Sequence, residues 1–123
     1  MEKRKLARAR GVLGEVRAEQ FLQERGMQIL ARNFKSEGAE IDLIARDGAV
    51  VAFVEVKTRA SARAEAGRAA VTLAKQKQIS NGALAFMAQR GLMDRQARFD
   101  VIEIQQQHLT YIQDAFPYRG PAF

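Results

Sequence analysis

The sequence predicts a single α/β domain built on a mixed β-sheet with helices packed against it. Three observations carry that prediction: an apolar hairpin over residues 40–57 (EIDLIARDGAVVAFVEVK), helical periodicity on both sides of it in the chain, and a second β-rich run, FDVIEI, over residues 99–104. Strand, helix and strand in that order allow the last run to join the hairpin in parallel through a right-handed crossover. At 123 residues there is material for one modest core.

Residues 1–10 form a basic N-terminal arm, in which Lys3, Arg4, Lys5, Arg8 and Arg10 face the single acid Glu2. The arm is either a solvated end or a phosphate-binding segment. Over residues 11–25, Gly14, Ala18, Phe21 and Leu22 recur at spacings of three and four, which predicts a helix with Gly26 as its C-cap. Glu15 falls at the margin of the inward stripe of that helix. Residues 27–34 read as a strand, and Ser36, Glu37 and Gly38 then loop into the hairpin, so three consecutive antiparallel strands are expected.

Asp47-Gly48 predicts a two-residue type I′ turn between Arg46 and Ala49. Counting outward, Ile44 should face Val51, Asp42 should face Phe53, and Glu40 should face Glu55. Alternation then gathers Glu40, Asp42, Glu55 and Lys57 on one face and leaves Ile41, Leu43, Ala45, Val50, Ala52, Val54 and Val56 as an apolar face for a helix. A lone Lys57–Glu55 pair would be an ordinary surface ion pair worth ~0–1 kcal/mol. Three acids are different, because two carboxylates ~4 Å apart repel by roughly 4 kcal/mol at an effective dielectric of ~20. A divalent cation between them converts that repulsion into binding.

After Lys57 the stretch ASARAEAGRAA is too poor in large apolar residues to build core. It is either a mobile loop offering Arg59, Arg63 and Arg68 to phosphates or an alanine-rich helical turn. Residues 71–90 form the second helix, ended by Gly91, with Lys75 and Lys77 near its start and an apolar side expected to cover the apolar face of the hairpin. Residues 109–112 make a short final strand, with His108 in the turn before it. The domain proper spans residues 11–113, followed by an aromatic and proline-containing tail, 114–123, which packs either on the domain or on a second subunit.

The chain has no cysteine and one histidine, which excludes a disulfide scaffold and the usual zinc sites and leaves carboxylates as ligands for hard cations such as Mg²⁺ or Mn²⁺. No apolar run reaches the ~20 residues needed to span a bilayer. The basic N-terminus lacks a secretory apolar segment, and a cytoplasmic location away from membranes is expected. A formal net charge of +6 and a pI near 10.2 suit a polyanionic partner.

Asp42, followed after a hairpin by Glu55-Val56-Lys57, resembles the PD-(D/E)xK signature of the restriction-endonuclease-like nucleases. With Gly14-Glu15, Ala18, Phe21-Leu22, Gly26, Asn33, EIDLIARDG, FVEVKTR and RFDVIEI, the chain from residue 8 to residue 113 resembles the uncharacterised YraN-like bacterial family, itself similar to archaeal Holliday-junction resolvases. Two positions depart from the pattern: Ile41 stands where the wider superfamily has proline, and Ala39 stands in place of the family's glycine.

The resemblance implies a restriction-endonuclease-like fold and Mg²⁺- or Mn²⁺-dependent, structure-selective DNA cleavage. Asp42, Glu55, Glu15 and the Val56 carbonyl would hold the metal. Lys57 would be catalytic, Glu40 would support from behind, and Arg59, Lys75, Arg8 and Arg10 would meet nucleic acid. A branched or structured DNA substrate and a homodimer follow from the resolvase likeness. The alternative is a non-catalytic nucleic-acid-binding module with a vestigial site.

Overall fold

The computed structural model describes residues 2–59 and 71–122, with backbone alone for residues 2–10. Helix α1 (Glu2–Glu24) leads into strands β1 (Gln28–Ser36), β2 (Ala39–Asp47) and β3 (Val50–Arg59). Helix α2 (Leu73–Gln89) then leads into β4 (Gln96–Gln105) and β5 (His108–Phe116). The five strands stand in chain order, antiparallel except for the parallel β3–β4 pair that α2 connects. This is the expected α/β class, a mixed sheet flanked by two helices.

Both helices stop by the same device. Gly26 (φ 88) and Gly91 (φ 67) adopt the left-handed conformation that a helix terminus needs and a Cβ disfavours. Gly26 N–H donates to Gln23 and Met27 N–H to Leu22, while Gly91 N–H donates to Ala88 and Leu92 N–H to Met87. At its other end α2 is capped by Thr72, whose hydroxyl accepts from Lys75 N–H at 3.2 Å.

The sheet is buried on both faces, which corrects the expectation of one core face and one open site face. Leu43, Ala45, Ala52 and Val54 pack on Ala18 and Leu22 of α1. The opposite face, carrying Ile44, Val51, Phe53, Phe99 and Val101, packs on Ile79, Ala83 and Phe86 of α2. Thus α2 covers the face that bears Glu55, and α1 takes the apolar face that α2 was expected to cover. A single crossover helix can lie on only one side of the parallel pair it connects, so the N-terminal helix fills the other.

Two glycines bring the helices close. A Cβ on Gly14 would collide with Thr58 Oγ1 of β3, and one on Gly82 would lie 3.1 Å from the Ala39 Cβ of β2.

The hairpin register also differs from expectation. Asp47 pairs with Val50, Ala45 with Ala52 and Leu43 with Val54, so the turn is Gly48-Ala49. Gly48 at φ 61 takes the first central position, as in a type II′ turn, while Asp47 stays in the ladder with its carboxylate held by Arg98 at 2.8 Å. The slip moves each residue two places along its partner strand. Ile44 therefore meets Phe53 rather than Val51, and side chains from Leu43 to Val54 keep their predicted faces, whereas Ile41, expected beside Leu43, packs on the α2 side.

Further along, α1 begins at Glu2, so the basic residues 2–10 continue the helix that carries Glu15. β5 runs on to Phe116, which stacks on Phe99 with centroids 5.2 Å apart. Beyond it Arg119 bonds Ser80 and Gln76 of α2, so the tail folds back on its own domain. His108 is the first residue of β5, paired with Gln105, rather than part of the turn. Residues 60–70, with Arg63 and Arg68, and the side chains of Arg8 and Arg10 lie outside the described residues.

Candidate active site

Strands β2 and β3 part at Asp42. Their ladder ends at Leu43 and Val54. Ile41 and Ile44 both pack on the α2 side while Leu43 packs on the α1 side, so strict alternation is broken at Asp42. There Asp42 Oδ2 accepts a hydrogen bond from Val56 N–H at 2.8 Å, and a side chain takes over from the backbone in satisfying β3. The half-buried Asp42 is thereby fixed against the Glu55-Val56-Lys57 segment.

Glu55 projects from β3 on the α2 side and is only 6% exposed. Lys57 Nζ lies 3.4 Å and Lys75 Nζ 3.8 Å from the same oxygen, Oε1. The other oxygen, Oε2, is buried and, among the described residues, has no hydrogen-bond partner. Burial, reinforced by the charge of Asp42, pushes the Glu55 carboxyl up to about 7 against the opposing pull of Lys75 and Lys57. Asp42 is raised as well, chiefly by burial, despite the bond from Val56 and the nearby lysines.

Glu15 lies on α1 next to the close approach that Gly14 permits. Its carboxyl is raised by burial and then by the charges of Asp42 and Glu40, against a hydrogen bond with Asn33. Glu15 therefore stands in the field of Asp42. Yet among the described residues no three His, Asp or Glu side chains converge closely enough to hold a metal ion by themselves. What does converge is Asp42 and Glu55. Two carboxylates, one with a buried oxygen lacking a partner, fit a hard divalent cation that completes its shell with water and a backbone carbonyl such as that of Val56.

Glu40 does not face Glu55. It is exposed and pairs across the sheet with Lys35 of β1, because the turn falls one residue later than expected. Arg59 Nε lies 3.9 Å from Glu103 Oε2, and Glu103 stands level with Lys57 in the β3–β4 ladder. Lys75 is brought to the carboxylates from α2, as its place in the sequence allowed.

A second buried carboxylate, Asp100 of β4, received no role from the sequence. It is fully buried, accepting from Arg98 Nε on both oxygens at 3.1 Å, from the Tyr111 hydroxyl at 2.5 Å and from Asp114 N–H at 2.9 Å. Asp114 lies at φ 52 beside the register shift between Phe99 and Val101, so Asp100 secures an irregular β4–β5 pairing. Burial disfavours the Arg98 charge, but Tyr111, Asp47 and Asp100 outweigh it and hold its proton more tightly than usual. The available signal was an acid inside the apolar run FDVIEI, with Arg98 two residues before it.

A five-stranded mixed sheet between two helices, with an acid where two strands diverge and Glu-x-Lys on the next strand, is consistent with the restriction-endonuclease-like class. Comparison with known sequences then gives the family. The model of the uncharacterised protein family UPF0102 matches residues 14–104, and the chain belongs to that family. It is 48% identical over 94 residues to a UPF0102 protein of Geobacter sulfurreducens, covering 76% of this chain and 73% of that one. It is 44% identical over 110 residues to a UPF0102 protein of Geobacter metallireducens, covering 86% and 90% respectively. A relative from Geotalea daltonii is 46% identical over 111 residues, covering 86% and 87%. Among the described residues no helix is long and apolar enough to cross a membrane.

Proposed function

We propose that this protein is a metal-dependent, structure-selective DNA endonuclease of the Holliday-junction-resolvase kind. One observation carries the reading: a buried carboxylate, Glu55, with one oxygen facing two lysines and the other without a hydrogen-bond partner among the described residues, beside a second carboxylate, Asp42. Burying such a group uncompensated costs several kcal/mol, roughly, and a cation-binding role explains its retention. Bound Mg²⁺ or Mn²⁺ supplies Lewis acidity towards an anionic phosphodiester and its attacking water.

Asp42, Glu55 and the Val56 carbonyl hold the ion, and Glu15 adds negative charge from α1. Lys57 follows Glu55 on the same strand face. Its ammonium orients the attacking water and offsets charge building on the phosphoryl oxygens as the water oxygen bonds to phosphorus and the bond to the leaving oxygen breaks, the water's proton passing to solvent and the leaving oxygen taking one from solvent. Arg59, Lys75, Arg8 and Arg10 meet phosphates, which position a nucleic acid without reading its bases, so selectivity is for shape. Paired cuts in a branched substrate call for two such sites and hence a homodimer.

The deciding experiment is cleavage of labelled branched, duplex and single-stranded DNAs in Mg²⁺, Mn²⁺ and EDTA. Wild type should cut a branched substrate only with metal, and Asp42→Ala and Lys57→Ala should lose cutting while keeping the fold and most of the binding. Full activity in either variant would falsify the assignment. The convergence of only two carboxylates among the described residues favours one rival, a cation-dependent binding module without turnover. Its signature is structured DNA bound in every condition and cut in none.

A further inference from the structure

Lys75 sits where helix physics disfavours it. It is the third residue of α2, and the first turn carries no acid to offset its charge against the positive end of the helix dipole. Its backbone is fixed, because its own N–H is the donor to the capping Thr72 hydroxyl. The side chain, by contrast, is partly exposed and reaches Glu55 Oε1 at 3.8 Å, too long for a hydrogen bond. Lys57 already lies nearer the same oxygen, at 3.4 Å. One carboxylate oxygen thus draws two ammonium groups while its twin has no hydrogen-bond partner among the described residues.

Lys75 weighs more heavily than Lys57 on the charge of Asp42, and both lysines bear on that of Glu55. An ammonium in that place offsets the same charges that a divalent cation would. The two cannot share the carboxylates without repulsion.

We infer that Lys75 is a movable positioning residue: it rests on Glu55 when no divalent cation is bound, and cation binding releases it from the first turn of α2 to a phosphate of the nucleic acid. The inference rests on the cation-binding reading above and adds an order of events. The cation comes first, and it creates one of the phosphate contacts. Tight DNA binding is then coupled to cation loading by a single side chain.

Two equilibrium measurements on the full chain test this. In the first, Mn²⁺ is titrated into wild type, Lys75→Ala and Lys57→Ala by calorimetry, without DNA. Lys75→Ala should bind Mn²⁺ about tenfold more tightly than wild type, as expected for removing a competing charge from a partly exposed site.

In the second, the salt dependence of binding to a labelled four-way DNA junction is followed in Ca²⁺ and in EDTA. Losing one phosphate contact should reduce the log–log slope by about 0.9 in Lys75→Ala with Ca²⁺, leave it unchanged in EDTA, and be reversed in Lys75→Arg. Equal Mn²⁺ affinity in wild type and Lys75→Ala overturns the handover alone. The same is true of a slope change that is identical with and without Ca²⁺. Absence of Mn²⁺ binding by wild type overturns both the handover and the reading beneath it.

Discussion

Asp100 and Glu55 are buried acids on neighbouring strands, at adjacent levels of the β3–β4 ladder and on opposite faces of the sheet. Asp100 is saturated: a guanidinium, a phenol and a backbone amide fill both of its oxygens. Glu55 is not, since two lysines stand off one oxygen and, among the described residues, no hydrogen bond reaches the other. Depth of burial is therefore a poor guide to what a buried acid does. The completeness of its partners separates the acid that holds the sheet together from the acid that is available to a ligand.

The sharpest test of this contrast is Asp100→Ala. It leaves Arg98 largely buried with only Asp47 as a counter-charge, and it should cost about 3–5 kcal/mol in urea unfolding. Near-wild-type stability would erase the distinction between the two acids.

Glu55→Gln should act in the opposite direction. Between the ordinary glutamate value of 4.5 and about 7, the folded chain retains a proton at Glu55 that the unfolded chain has released. The unfolded state then binds fewer protons and stability falls with rising pH, so the stabilisation is complete below 4.5 and is lost as pH climbs through about 7. Removing the titration should make Glu55→Gln more stable than wild type at pH 8, by up to about 3 kcal/mol, with the gain vanishing near pH 4. Mn²⁺ should raise the Tm of wild type at pH 8 and leave that of Glu55→Gln unmoved. A flat stability difference across pH would show that Glu55 has no special ionisation cost.

Tyr111→Phe removes the hydroxyl that donates to Asp100 and accepts from Arg98, and should cost about 1.5–3 kcal/mol, read by the same unfolding assay. Glu40→Ala should be the mildest change, within about 0.5 kcal/mol, because its side chain is exposed and away from Glu55. A loss comparable to that of Tyr111→Phe would return Glu40 to the site.

Much of this arrangement was legible in the chain because the strongest signals are local. Gly26, Gly48 and Gly91 mark the ends of elements, and alternation sorts the strand residues onto faces. The hairpin register escaped because Asp47 is held in the ladder by Arg98, 51 residues further on. Between Leu43 and Val54 the error was harmless to the face assignment, since a shift of two places preserves parity; at Asp42 alternation itself fails, and Ile41 crosses to the α2 side.

The helix faces were misassigned for a related reason. Apolar residues cover both sides of the sheet, so composition does not say which helix takes which side. The role of Asp100 was hidden because Tyr111 and Asp114 reach it only through the β4–β5 pairing, whose irregularity no local pattern announces. Asp42 and Glu55 stand out in the chain because an acid within an apolar strand is conspicuous, but the Glu55 oxygen with no hydrogen bond among the described residues became visible only with the neighbours in place.

The position of Glu55 in the sheet has a dynamic consequence. β3 is hydrogen-bonded along both edges, to β2 over part of its length and to β4 throughout, so its amides should be among the last to exchange with solvent deuterium, opening only when the whole domain opens. Lys75 reaches the same site from the first turn of a helix, where a side chain can change place without disturbing the sheet. The anionic half of the site is thus as durable as the fold itself, while a cationic part remains free to respond on the far shorter timescale of side-chain motion.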